Sequence, residues 1–200
     1  MSAYNPLDME NLAVSIANKL LATPAVRHSE IPDFKGAGIY AIYYRGDCPT
    51  YKPLSEPENR DIAVYVGKAV PKGGRKGVEV AKTTSTTALR SRLKEHAKSI
   101  GQVETRDFRL DEFRFRYLVV EPIWIPLGES VMIQRSHPVW NVLVDGFGNH
   151  DPGAGRINGM RTRWDTLHPG RPWAQKFPQR QETGAEIADD VIEYLRSRLR

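Results

Sequence analysis

The hydrophobic positions of this 200-residue chain recur at two spacings, which predict helices in some segments and strands in others. Apolar residues three and four positions apart predict amphipathic helices over residues 7–21, from 87 to about 100, and over 186–199. A further apolar segment, residues 124–134, follows Pro122 and is also predicted to be helical. Each of these helices is expected to bury one side against the core.

Three shorter segments favour β-strands because they are rich in β-branched and aromatic residues. They cover residues 39–44, 62–66 and 113–120. No helix lies between the first two, so they are expected to pair antiparallel. Residues 139–144 predict a short extended piece, whereas residues 147–181 are rich in Gly, Pro, Trp and Arg and predict mostly loop.

These elements predict one domain of the α+β class, with a three-stranded, mainly antiparallel sheet flanked by helices. The core would span about residues 36–145, with an N-terminal helix at about 7–22 and a C-terminal extension at about 147–200. Two loop segments interrupt the core, the proline-containing residues 46–60 and the glycine- and lysine-rich residues 70–85. A chain of this length can bury a core without disulfides, and it has one cysteine.

Positive charge is concentrated in one stretch of a chain whose formal net charge is +5 and whose pI is about 9.3. In residues 71–98, two glutamates oppose the basic residues Lys72, Arg75, Lys76, Lys82, Arg90, Arg92, Lys94 and Lys98. Such a block favours a polyanionic partner such as nucleic acid, although a solvated surface of clustered charge is the alternative. No signal peptide or membrane-length apolar run is recognisable, so a soluble, cytoplasmic protein without membrane contact is expected.

The residues with the clearest chemical potential lie on the predicted strands and helices. They are two strand tyrosines, an arginine and a histidine one helical turn apart, a glutamate and an asparagine. In chain order these are Tyr40, Tyr65, Arg92, His96, Glu129 and Asn141. Phosphodiester hydrolysis needs an activated water, stabilised phosphoryl oxygens and help for the leaving oxygen, and this set with one metal ion could supply them.

The order and spacing of these residues resemble the GIY-YIG nuclease superfamily. The tripeptide Gly38-Ile39-Tyr40 matches the first signature, and Tyr65-Val66-Gly67 is a conservative form of the second. The helix with Arg92, the single Glu129 and the later Asn141 follow in the order of that superfamily. The chain departs from the compact pattern in that its two tyrosines are 25 positions apart. An intervening loop accounts for them at little cost, because loop-closure entropy grows slowly with length.

Within the superfamily the chain looks most like the Type II restriction endonuclease branch. In that branch a histidine one turn after the arginine and long insertions around the second signature are typical. The resemblance covers about residues 36–145 and implies hydrolysis of double-stranded DNA with Mg²⁺, or with another divalent ion such as Mn²⁺. One site per chain then implies a homodimer on a palindrome. The resemblance further suggests a short G·C-rich palindrome of the CCGCGG kind.

The resemblance and the chemistry of each group imply distinct roles. Tyr40 is predicted to act as general base or to orient the water, and Tyr65 to orient water or phosphate. Arg92 suits the phosphate because a guanidinium stays charged and can donate two hydrogen bonds. His96 could take a proton from Tyr40 or contact the scissile region. Glu129 is the predicted metal ligand, because Mg²⁺ prefers carboxylate oxygen and keeps most of its waters.

Each assignment has an ordinary alternative. A strand tyrosine usually packs in a core, a lone histidine is more often structural, and a helix glutamate usually lies on the surface. Asn141 is expected to tie loops together near the site by hydrogen bonds. Lys68 could contact phosphate or lower the pKa of Tyr40, and it could equally be a surface lysine.

Other basic residues are candidate contacts to DNA. Those singled out are Lys68, Lys72, Arg75, Lys76, Arg90, Arg114 and Arg116. The loop arginines Arg156, Arg161, Arg163 and Arg171 could add others. Arginine bidentate to guanine is the commonest specific contact, so many arginines fit a G·C-containing site.

Three other functions compete with the restriction enzyme. A structure-specific or homing nuclease usually joins the core to a separate recognition domain, and no linker in this sequence suggests one. A non-catalytic nucleic-acid-binding module would leave the tyrosines in the core and Glu129 on the surface. An RNA-cutting enzyme fits the charge, but no RNP-like aromatic motif supports it.

Overall fold

A three-stranded antiparallel sheet forms the centre of the protein. The computed structural model describes residue 5 and residues 7–71, 85–105, 108–151 and 159–199. The strands are β1 (Gly38–Tyr44), β2 (Tyr65–Ala69) and β3 (Phe113–Val119). Their order is β2-β1-β3, and β1 pairs antiparallel with both neighbours. The predicted α+β class and antiparallel sheet are therefore confirmed.

Helices cover both faces of this sheet. They are α1 (Met9–Leu21), α2 (Ala88–Gly101), α3 (Ile125–Ser136), α4 (Val139–Val142), α5 (Arg163–Leu167) and α6 (Gly184–Arg198). The four long helices, α1, α2, α3 and α6, lie within two residues of the predicted bounds at each end. In the part of the chain that the structure describes, no helix is both long enough and apolar enough to cross a membrane.

Strand β1 is buried on both faces, as expected for a central strand with an uninterrupted apolar sequence. Its even-numbered residues from Tyr40 to Tyr44 belong to the core cluster that includes residues of α2, α4 and α6. Its odd-numbered residues from Ile39 to Tyr43 belong to a second cluster with α1 and α3. The two-residue alternation of the strand therefore assigns Tyr40 to the layer that contains α2.

The second strand begins and ends later than the sequence predicts. The prediction of residues 62–66 is wrong, because β2 covers Tyr65–Ala69 with Gly67 directly opposite Tyr40. A Cβ atom on residue 67 would approach Cζ of Tyr40 to 2.7 Å, so glycine leaves room for this ring. Gly67 therefore lies inside the strand because the side chain of its partner crosses over it.

Two other segments contain helices that the sequence did not predict. Residues 139–144 were expected to be extended, but amides of the single turn α4 donate to the Pro138 carbonyl at 2.9 and 3.0 Å. Within residues 147–181, expected to be mostly loop, the Thr162 hydroxyl caps α5 by accepting from an amide of its first turn at 3.2 Å. Helices of one turn are too short for a 3.6-residue period to be recognised.

Candidate active site

The antiparallel register of β1 and β2 brings the two signature tyrosines to one side of the sheet. Tyr40 pairs with Gly67 and Ile42 pairs with Tyr65, so the two tyrosines are diagonal neighbours on the α2 side. Their ring centroids are 6.2 Å apart. Tyr40 is buried, whereas Tyr65 is partly exposed. The two phenols that were predicted to act together are therefore adjacent.

Helix α2 places Arg92 and His96 against these tyrosines. The Tyr40 hydroxyl lies 2.6 Å from Nε2 of His96. The His96 ring centroid is 5.3 Å from the ring centroids of both Tyr40 and Tyr65. The helix is held in this position by its buried apolar side, which consists of Leu89, Leu93, Ala97 and Ile100. One helical turn therefore separates two polar groups that meet the same pair of phenols.

Burial determines the protonation states of this cluster. It lowers the pKa of His96 well below its usual value, and the charge of Arg92 is the next cause. Burial also raises the pKa of Tyr40 well above its usual value, with the Tyr65 phenol as the next cause and Arg92 acting in the opposite direction. At neutral pH the imidazole is therefore neutral and the phenol protonated. This combination suits a hydrogen bond in which the Tyr40 hydroxyl donates to Nε2 of His96.

Arg92 is partly exposed and is held by the loop that follows α4. Its Nη2 donates to the Gly148 carbonyl, and its Nη1 contacts the ring of His150. The Phe147 ring of the same loop stacks on the His96 ring at a centroid distance of 4.5 Å and an angle of 20°. This loop therefore touches both candidate site residues of α2.

The carboxylate predicted to bind a metal lies on α3, which packs against the edge strand β2. Oε2 of Glu129 is 2.6 Å from Nζ of Lys68. Burial raises the pKa of Tyr65, and the charge of Glu129 adds to this effect while Arg92 opposes it. The charge of Glu129 thus acts on the ionisation of Tyr65, although α3 packs on the face of the sheet opposite α2.

Glu129 offers a single carboxylate to a cation. Among the described residues, no group of three or more His, Cys, Asp and Glu side chains could hold a metal ion. An ion at Glu129 would therefore keep water or phosphate oxygens at its other positions. Mg²⁺ is usually bound in this way, by one or two carboxylates, several waters and substrate phosphates. The donor set thus fits a hard divalent cation that shares its ligands with the DNA.

Asn141 occupies the open edge of β2. Its Oδ1 accepts from the Val66 amide and its Nδ2 donates to the Val66 carbonyl, both at 2.8 Å. The side-chain amide thus makes the pair of hydrogen bonds that a further strand would make to this edge. It fixes the residue next to Tyr65 on the edge strand, whereas contacts between loops were expected.

The candidate DNA contacts are dispersed over the surface. Arg90 forms an ion pair with Asp33. Arg114 and Arg116 lie on the α1 and α3 side of the sheet, opposite the tyrosine cluster, and Arg116 pairs with Asp61 at 2.7 Å. Lys68 forms an ion pair with Glu129, which is a predicted site residue. The candidates Lys72, Arg75, Lys76 and Arg156 lie outside the described residues.

Sequence reasoning missed the contribution of the C-terminal region to the site. Arg171, named as a candidate DNA contact, is only 1% exposed and forms an ion pair with Asp165, so its guanidinium is not available to DNA. Phe147 was not singled out, although it stacks on His96. The run Gly146-Phe147-Gly148, an aromatic residue between two glycines, is the signal that could have indicated a tight loop carrying a ring.

The sheet, the tyrosine pair and the Arg–His helix define a GIY-YIG nuclease domain. A family model described as the Eco29kI GIY-YIG domain matches residues 32–195. The chain belongs to this family, which is a restriction endonuclease family, and it is therefore a DNA endonuclease. GIY-YIG nucleases generally use divalent metal ions. The comparison with curated proteins gives no match.

Proposed function

We propose that this protein is a Type II restriction endonuclease that acts as a homodimer on a short, G·C-rich palindrome of double-stranded DNA. Each active site uses one Mg²⁺ ion. The observation that carries the proposal is the 2.6 Å distance between the Tyr40 hydroxyl and Nε2 of His96, beside Arg92. This arrangement joins the groups needed to activate water and to bind phosphate.

Arg92 binds the scissile phosphate in this proposal. Burial lowers the pKa of Arg92, but Tyr40, Glu95 and Tyr65 outweigh burial and raise this pKa above its usual value. The guanidinium, which is partly exposed, therefore stays charged. The Gly148 carbonyl holds Nη2 and so orients the group. A fixed guanidinium can donate two parallel hydrogen bonds to phosphate oxygens.

Tyr40 takes a proton from the attacking water while its own phenolic proton moves to Nε2 of His96. Without DNA, the low pKa of His96 disfavours this transfer. A phosphate bound at Arg92 offsets the charge that is the second cause of that low pKa. Substrate binding thus makes the imidazole a better proton acceptor. Tyr65 orients the water or the phosphate beside this pair.

Glu129 is the residue that would hold the divalent ion, and Lys68 then gives up its contact with this carboxylate. When bound, the ion stabilises negative charge on the phosphoryl and leaving oxygens. The single carboxylate supports Mg²⁺, and Mn²⁺ is expected to substitute for it because it also accepts oxygen ligands.

The homodimer and the palindrome are supported by symmetry. The described residues hold one such cluster, so cutting both strands at one site takes two copies of the chain. A two-fold axis between the copies matches the symmetry of a palindrome. A site of the CCGCGG kind is consistent with the family match.

Plasmid cleavage with and without Mg²⁺ tests the proposal in the wild type and in Glu129→Gln. The matched control is Glu193→Gln, which changes an exposed glutamate on α6. We expect the wild type and the control to give discrete fragments with Mg²⁺. Glu129→Gln is expected to retard DNA in a gel without cutting it. Sequencing of the fragment ends then gives the site, and the oligomeric state follows from light scattering.

Other outcomes would favour the alternatives. A smear of fragments would support a non-specific or structure-specific nuclease. Intact DNA with a retained mobility shift in all three proteins would support a non-catalytic binding module, in which Glu129 has no role.

A further inference from the structure

Arg171 is a buried guanidinium whose hydrogen bonds equal its five N–H donors in number. Its Nε and Nη2 donate to the two carboxylate oxygens of Asp165 at 2.6 and 2.7 Å. Its Nη1 and Nη2 also donate to three carbonyl groups of one loop at 2.9, 3.1 and 3.3 Å, those of Gly146, Phe147 and Asn149 respectively. The side chain therefore holds the loop of residues 146–149 by its backbone.

The surroundings leave this guanidinium one orientation. Its Cζ lies 4.5 Å from the ring centroid of Trp164 and 4.6 Å from that of Trp173. The Thr162 hydroxyl donates to Oδ2 of Asp165 at 2.7 Å, which fixes the partner carboxylate as well. The stacked rings fix the tilt of the guanidinium plane, and the hydrogen bonds at its edges fix its rotation within that plane.

The chain just before Arg171 is docked on the end of α2. The Pro169 carbonyl accepts from the Glu104 amide at 3.1 Å. Gly170 lies so close to Gln102 that a Cβ atom would approach its carbonyl carbon to 2.6 Å. The position of Arg171 is thus set relative to the helix that carries the candidate active-site residues.

The loop of residues 146–149 contacts two of those residues from one side. The Phe147 ring stacks on the His96 ring, and the Gly148 carbonyl accepts from Nη2 of Arg92. Displacing the loop would remove the stacking partner that fixes the His96 ring plane. It would also remove the carbonyl acceptor that orients the Arg92 guanidinium. Small displacements of reacting groups are costly, since about 1 Å can reduce a rate by roughly 100-fold.

We propose that Arg171 is a positioning residue for DNA cleavage, which acts through the loop of residues 146–149 on His96 and Arg92. The inference rests on the proposed function for its effect on cleavage. The C-terminal region thus helps to position His96 and Arg92, although Arg171 itself contacts neither DNA nor the reacting atoms.

Arg171→Lys separates positioning from charge. A lysine keeps the positive charge but replaces a planar fork by a compact group with three N–H donors. It cannot serve the Asp165 carboxylate and three carbonyls together, so the loop is expected to loosen. The control is Val191→Ala, which removes buried volume from α6 and lowers stability without removing any hydrogen bond of Arg171. Asp165→Asn, which keeps the side-chain volume, replaces Arg171→Lys if that protein does not fold.

The three full-length proteins are compared by single-turnover cleavage, DNA affinity, thermal unfolding and the ring proton shifts of His96 in NMR spectra. We expect Arg171→Lys, or Asp165→Asn in its place, to cleave between about tenfold and 100-fold more slowly, with little change in affinity. The His96 shifts should lose the ring-current contribution of Phe147. Val191→Ala should unfold at a lower temperature but keep the wild-type rate and His96 shifts.

The proposal is overturned if the folded Arg171→Lys protein, or Asp165→Asn in its place, keeps either the wild-type rate or the wild-type His96 shifts, or if the control slows cleavage equally. A wild type that cuts no DNA would refute the proposed function. The His96 shifts would then still decide whether Arg171 positions the loop, because they require no cleavage.

Discussion

The hydroxyl of Tyr40 lies 2.6 Å from Nε2 of His96, and both side chains are buried between β1 and α2. Tyr40→Phe keeps the ring but removes the group that passes the proton. We expect single-turnover cleavage to fall by roughly 10²- to 10⁴-fold. The free energy of unfolding should fall by about 1–3 kcal/mol, because His96 loses its buried partner. Rapid-quench kinetics and urea denaturation measure the two effects.

Tyr44→Phe is the matched control, because Tyr44 is buried on the same face of β1. Its hydroxyl accepts from the Cys48 amide at 2.8 Å, so removing it also costs a partly buried hydrogen bond. This variant should lose stability but cleave at nearly the wild-type rate. Equal losses of rate in both variants would mean that cleavage follows stability, and Tyr40 would then have no special part.

If Glu129 holds the divalent ion as proposed, Lys68 would compete with that ion, because its ammonium lies 2.6 Å from the carboxylate. Lys68→Met should therefore lower the Mn²⁺ concentration that gives half-maximal cleavage. The pair is partly exposed, so the effect should be about 0.5–1 kcal/mol, or roughly two- to fivefold in concentration. Lys52→Met, which removes the partner of Asp47 on an exposed loop, should leave this midpoint unchanged. A higher midpoint in Lys68→Met would mean that the lysine assists metal binding.

The pH dependence of the free energy of unfolding should reveal the low pKa of the second buried histidine, His168. Its Nε2 is 2.7 Å from the Tyr51 hydroxyl, and burial lowers its pKa from 6.5 to about 3, with Arg171 as the lesser cause. Between these values the unfolded chain binds a proton that the folded protein does not, so the contribution is full above pH 6.5 and declines as the pH falls. The expected slope is about 1.4 kcal/mol per pH unit.

Urea denaturation at several pH values, in the wild type and in His168→Gln, checks this slope. Glutamine does not titrate but can still bond to Tyr51. The variant should lose less stability on acidification than the wild type does. Identical pH dependence in the two proteins would show that His168 binds its proton at the same pH in the folded and unfolded states, so that burial does not lower its pKa.

The three strands, and the place of Tyr40 and Tyr65 on two of them, could be predicted because their signals are local. The apolar run of β1, the one-turn spacing of Arg92 and His96, and the order of the signature residues all lie within short stretches of sequence. The end of β2 could not be predicted, because Gly67 lies inside this strand to leave room for the Tyr40 ring of the neighbouring strand. Cross-strand sterics of this kind have no signal within one segment.

The arginines show the same limit. Arg116 and Arg171 look alike in a sequence with many basic residues, and both were candidates for DNA contact. One pairs with Asp61 on the far side of the sheet, and the other is enclosed by tryptophans and loop carbonyls. The partner of Arg116 is 55 residues away in sequence, and those of Arg171 are between 6 and 25 residues away. Sequence spacing alone does not reveal such partners.

Asn141 provides a test of how the edge strand is held. Asn141→Ala removes both 2.8 Å hydrogen bonds to Val66 and leaves two backbone groups of β2 without these partners. We expect the free energy of unfolding to fall by about 1–3 kcal/mol. The Val66 amide should also exchange with solvent faster in native-state hydrogen exchange, because its opening no longer breaks the bond to Asn141.

Asn59→Ala is the matched control, since the Asn59 side chain also donates to a backbone carbonyl, that of Pro53, at 2.8 Å. It lies in the loop between β1 and β2 and should leave exchange at Val66 unchanged. If Val66 is equally protected in Asn141→Ala, the amide bridge does not hold the edge of β2. Faster exchange at Val66 with a slower cleavage rate would instead show that the edge bridge keeps Tyr65 in its place beside Tyr40.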